Sequence, residues 1–154
     1  MITGIDSLKQ SVDALEMAVR DAPPIFRRFT DPQAEVPRGV GRWSRKQILG
    51  HLIDSAANNH HRFIRMQLAD GLDLPSYAQE DWVAVQYYAR RAWPDLIELW
   101  TVYNRHLLHV VKHVPVEALS VLAKVGGEEV TLEFVITDYV RHLNHHLAQI
   151  AEPM

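Results

Sequence analysis

Apolar residues recur every three or four positions in four stretches of this 154-residue chain, the period of a helix that buries one face. In the first, about residues 6–20, Leu8, Val12, Leu15 and Val19 share a side. Pro23-Pro24 is expected to end it, because proline has no N–H with which to continue the ladder. The second has the clearest start. Ser44 and Gln47 fit a capping box, and Trp43 just before the cap can staple onto Ile48. Its stripe of Ile48, Leu52, Ala56, Phe63 and Met66 predicts a helix over about residues 45–69, closed by Asp70-Gly71. Trp93-Pro94 opens the third, since proline is welcome in a first turn, and Leu96, Leu99, Trp100, Tyr103, Leu107 and Val110 carry it to about residue 113, short of Pro115. Thr131 caps the fourth, which runs to about residue 150 with Glu133 near its positive end.

The segments between are less regular. Residues 25–29 form a short apolar piece, while 31–42 and 72–79 read as loops from their prolines and glycines. A short helix over 81–91 is expected across one end of the bundle. Gly126-Gly127 between β-prone runs predicts a small hairpin within 119–130, which must lean on the helices because two strands alone are marginal. The fold expected is all-α: a four-helix bundle with a short extra helix and a small β-hairpin before the last helix, in a single domain over residues 1–154.

Composition narrows the function. A chain 47% hydrophobic and 23% charged has the balance of an ordered globular protein, and a net charge of -3 provides no positive field for nucleic acid. Charged residues Asp6, Lys9, Asp13 and Glu16 interrupt the first stretch and exclude a signal-peptide core. No apolar run approaches the length that spans a membrane, so cytoplasmic residence is expected. With no cysteine, there can be neither disulfide nor thiolate ligand, and metal chemistry falls to imidazole and carboxylate. The nine histidines are the unusual feature.

Laid out as wheels, two helices place polar side chains at the edge of the buried stripe. On the fourth, with stripe Leu132, Ile136, Tyr139, Leu143, Leu147 and Ile150, His146 falls roughly 50° from the centre and His142 roughly 90°. They are one turn apart, a spacing from which two imidazoles can converge on one ion, although most such pairs in helices bind nothing. His145 points away to solvent. On the second helix His51, Ser55, Asn58 and Arg62 follow at steps of four, three and four, a polar seam that would be costly if buried dry and so is expected to line a cavity. Alone, His51 reads as a packing residue; the seam argues otherwise. His106, His109 and His113 on the third helix, like His60 and His61, read as solvated or edge positions. Trp82, Tyr87, Trp93 and Trp100 are expected in the core and cavity wall.

Trp43-Ser44 opening a helix, then His51-Leu-Ile-Asp54-Ser55 with Asn58, Arg62 and Phe63, and finally Tyr139-Val-Arg-His142-Leu-Asn-His145-His146-Leu-Ala-Gln149-Ile150, together resemble the DinB superfamily, its YfiT-like branch above all. The resemblance implies a four-helix bundle, often dimeric, with His51, His142 and His146 holding one divalent transition metal, nickel or zinc foremost. It implies an enzyme: some relatives transfer low-molecular-weight thiols such as bacillithiol or mycothiol, and others are named metal-dependent hydrolases. Ala56 stands where YfiT-like sequences commonly carry a further histidine. The segment with Tyr77, Gln79 and Trp82 is similar to the family's loop near the site.

Three neutral imidazoles leave a divalent ion open positions, so the expected chemistry is activation of a water or thiol toward a small-molecule substrate. Asn58 and Arg62 would orient an anionic group of that substrate, and Asp54 and Gln149 would fix the ligand tautomers. The rival is a bundle that binds a metal or ligand without turnover, in a stress response. An exchangeable solvent position on the metal would distinguish the two.

Overall fold

A computed structural model describes residues 3–153; Met1, Ile2 and Met154, the outer edges of the expected domain, lie outside the described residues. Six α-helices and a small sheet follow in the order α1 (Gly4–Phe26), α2 (Asp31–Glu35), α3 (Arg45–Leu68), β1 (Leu72–Leu74), α4 (Gln79–Val85), α5 (Trp93–Lys112), β2 (Leu122–Val125), β3 (Glu128–Thr131) and α6 (Leu132–Ala151). The four long helices α1, α3, α5 and α6 make the bundle. Both α1 and α3 pack against α5 and α6, and their apolar faces merge into one continuous core.

Helix α1 runs through Pro23 and Pro24, contrary to the expected stop. Each proline removes a donor, but its fixed φ suits a helix, and the chain beyond is held by tertiary contacts. Phe26 is fully buried, its ring edge-on to Trp93 and Trp100 at 5.9 and 5.3 Å, and its carbonyl accepts the Trp93 indole N–H at 2.9 Å. That anchoring favours continuing the helix past the two missing backbone bonds. The segment read as a loop from residue 31 begins instead with α2. Thr30 and Gln33 form a reciprocal capping box with a proline in the first turn.

Helix α3 starts as the sequence indicates, with Ser44 and Gln47 capping each other, and α5 and α6 match their expected spans within a residue or two. The single short helix expected over 81–91 is divided: α4 ends at Val85, Tyr87 takes a left-handed φ of 52°, and a 3-10 turn covers Tyr88–Arg90. The hairpin forms around Gly126 and Gly127, whose φ values of 59° and 88° suit the tight turn that matches strand twist. It has a third strand, since β1, read as loop, pairs in parallel with β2, Leu72 opposite Ala123. Three residues carry no readable period, and their partner lies some fifty positions away. Trp93 and Trp100 are core, as expected, whereas Trp82 (38% exposed) and Tyr87 (61%) are not.

Candidate metal centre

Three histidines from two helices meet where α3 packs on α6. His51 faces the interior from α3 and is fully buried; His142 and His146, one turn apart on α6, approach from the other side and are half-buried. The Nε2 atoms of His51 and His146 each lie 3.1 Å from Nε2 of His142. Two nitrogens bound at about 2.0–2.1 Å to one tetrahedral ion stand about 3.3 Å apart, so the spacing fits. Without an ion the arrangement is self-contradictory. A neutral imidazole nitrogen carries either one proton or one lone pair in the ring plane, so His142 Nε2 can complete only one of its two contacts. A cation at the centre would use all three lone pairs.

The surroundings keep the rings neutral. Burial, then the neighbouring His142 and His146, push the His51 pKa down to about 3. Burial, then His146, lower that of His142 to about 4, and burial likewise lowers that of His146. The tautomer is fixed on one ring: Gln149 Oε1 can only accept, so His146 donates from Nδ1 at 2.8 Å and turns an unprotonated Nε2 to the centre. Among the described residues His51 Nδ1 is buried without a partner. The Trp43 ring lies 5.1 Å from that of His51 and walls the centre, a role beyond the capping staple read from sequence.

The polar seam on α3 divides. His51 joins the other histidines, but Asn58 donates to the Asp54 carbonyl at 2.9 Å, and Arg62 reaches Pro75 O at 3.2 Å and Asn59 Oδ1 at 3.5 Å. Asn58 and Arg62 line a separate small cavity of about 60 Å³. Asp54, expected to hold a ligand tautomer, accepts instead from Tyr88 Oη at 2.6 Å and Gln86 Nε2 at 2.8 Å, while its Oδ2 is buried without a partner among the described residues and burial raises its pKa. Gly50 permits this: a Cβ there would fall 2.2 Å from the Tyr88 ring. Tyr77 packs beside Trp82 at 5.3 Å, and its pKa is raised by burial against lowering contacts with Ser55 and Arg62; Gln79 opens α4.

Among the remaining histidines, His145 borders the centre, its ring 5.0 Å from that of His146. His61, His106, His109, His113 and His145 are exposed, as read. His60 is half-buried rather than exposed, its Nδ1 2.9 Å from the Tyr103 hydroxyl. What sequence reasoning missed is the mouth of the centre, a cavity of about 220 Å³ whose wall includes Arg38, Arg42, Trp43, Glu80, His146 and Gln149. Arginines in an aperiodic loop give no wheel to read.

The family model described as the DinB superfamily matches residues 14–150. The chain belongs to the DinB superfamily. Among DinB relatives, the Bacillus subtilis (strain 168) protein named "Putative metal-dependent hydrolase YfiT" is 26% identical over 80% of this chain and 71% of its own length. A Bacillus mycoides protein with the same hydrolase designation is 24% identical over 92% of this chain and 84% of its own. A solved YfiT structure from Bacillus subtilis, described as "a probable metal-dependent hydrolase with an unusual four-helix bundle topology", superposes with a TM-score of 0.84 at 21% identity, covering 93% of this chain and 83% of that one. At that identity the likeness speaks for the DinB bundle itself. No described helix is long and apolar enough to cross a membrane.

Proposed function

We propose that this chain is a metal-dependent enzyme in which His51, His142 and His146 hold one divalent transition ion, nickel or zinc, and act on a small-molecule substrate. The reaction is hydrolysis or transfer of a low-molecular-weight thiol. The observation that carries the reading is the convergence of three buried or half-buried Nε2 atoms on one point. The hydrolase names of the relatives support the hydrolytic branch, and the family resemblance supports the thiol branch.

When bound, such an ion would supply Lewis acidity, lowering the pKa of a water or thiol and polarising the substrate. The protein's part is to present lone pairs. His146 does so because Gln149 accepts its Nδ1 proton, and burial keeps His51 uncharged, as a ligand must be. Trp43 limits solvent at the His51 side. Arg62 and Asn58 enter as substrate-orienting residues acting from their separate cavity of about 60 Å³, where, beyond the two N–H contacts to Asn59 and Pro75, Arg62 retains donors that a carboxylate could take. The working unit is a single DinB-like domain in the cytoplasm. It pairs as a homodimer through the face of α1, where Ile5 and Met17 stand 58% and 54% exposed.

Elemental analysis of protein purified without an affinity tag should find one ion per chain. Ester and amide hydrolysis, and thiol transfer to an electrophile, should be measured before and after chelation. Activity should vanish on chelation and in His142→Ala, and return to the wild type when metal is restored. Turnover that persists after complete metal removal, with His142→Ala unaffected, would overturn the reading.

A further inference from the structure

The C-terminal end of α6 gathers three arginines beside the histidine centre. Arg45, stacked over the Phe29 ring at 4.0 Å, donates to Ile150 O at 2.9 Å and to Glu152 O. Arg38, its side chain 8% exposed, pairs with the Glu152 carboxylate. Arg42 lies close enough that its charge, after burial, works against that of Arg38. Among the described residues the Arg42 side chain has no ion pair or hydrogen bond of its own. Arg38 and Arg42 therefore both line one cavity, while the carboxylate bound to Arg38, that of Glu152, lines the neighbouring one. Glu80 on α4 contributes a carboxylate to the wall that the two arginines share, without pairing to either.

His146 and Gln149 line the same cavity as the two arginines. A ligand entering it with one end toward the histidines leaves its other end among Arg38 and Arg42. Like charges held side by side are stabilised by an anion between them, and guanidinium N–H groups match the paired oxygens of a carboxylate or sulfonate. We propose that Arg42, with Arg38 behind it, is the specificity element of the centre, selecting substrates whose distal group is anionic. Glu80 opposes this preference and limits where the anion can sit. The assignment rests on the metal-centre reading, because it presumes that a ligand's near end occupies the ion.

Cobalt-loaded protein tests it without turnover, since the visible bands of cobalt change when a thiolate enters its coordination sphere. Three probes share the HS–CH2–CH2 unit and differ in the distal group: 2-mercaptoethanesulfonate, 2-mercaptoethanol and cysteamine. The wild type should bind the sulfonate about tenfold more tightly than cysteamine at low salt, with the alcohol between them. Arg42→Gln should shrink that ratio to about twofold and leave the affinity for the alcohol unchanged. Glu80→Gln should widen it. Equal affinities in the wild type, or an undiminished ratio in Arg42→Gln, would overturn the assignment while sparing the metal centre. Cobalt bands that respond to none of the three thiols would overturn the open-centre reading and this assignment with it.

Discussion

One hydrogen bond determines which nitrogen of His146 faces the centre. Gln149 Oε1 accepts from Nδ1, and Gln149 Nε2 in turn lies 3.4 Å from His145 Nε2, which holds the amide in that orientation. Replacing Gln149 with leucine should remove the bias toward the Nε2 lone pair and lower metal affinity about 10–100-fold. The helix should survive, because the residue is only half-buried. Gln149→Glu keeps an acceptor and should recover most of the affinity. Competition titration with a metal chelator measures both, and an unchanged affinity in the leucine variant would remove Gln149 from the centre. The sequence made the His142, His146 and Gln149 relation legible because all three share one helix and a known period. The orientations of Asp54 and Arg62 were not legible: their partners Tyr88, Gln86 and Pro75 come from irregular segments whose placement no local pattern encodes.

The elements were legible where local signals agreed. Ser44-to-Gln47 capping, Trp93-Pro94 and the Thr131 cap mark starts that the structure keeps: the first and last satisfy backbone donors that would otherwise be unpaired, and Pro94 brings a fixed φ suited to the first turn and no donor to satisfy. Helix α1 is the exception, since its end is set by a distant pocket. If Phe26, locked against Trp93 and Trp100, is what carries the helix through Pro23-Pro24, Phe26→Ala should cost about 3–5 kcal/mol and fray the last turn. Urea denaturation gives the stability, and amide exchange at Phe26–Arg28 the fraying. A loss below about 1 kcal/mol would mean that the prolines are tolerated for another reason. Tyr87 and β1 share the same lesson. A left-handed tyrosine and a three-residue strand are imposed by contacts with α3 and β2, not by propensity.

At the scale of the whole molecule, the histidine centre makes stability depend on protons and on metal in opposite ways. In metal-free protein the folded pKa values of His51 and His142, about 3 and about 4, lie below the ordinary histidine value of about 6.5 that the unfolded chain keeps. Between about pH 6.5 and about pH 3 the unfolded chain therefore binds more protons, so stability is complete above that window and declines as acid is added through it. A divalent ion held as proposed would bind only the folded, deprotonated centre. At a free concentration of about 100 times its Kd it should add about 2.7 kcal/mol, which raises the melting temperature by about 5–10 °C for a chain of this length. Melting curves with and without chelator should therefore differ most near pH 7 and converge toward pH 4, where protons displace the ion. His142→Ala should abolish the metal-dependent gap and flatten part of the acid slope. Coincident curves with and without chelator at pH 7 would mean that the three imidazoles hold no ion in solution, and that their convergence reflects packing alone.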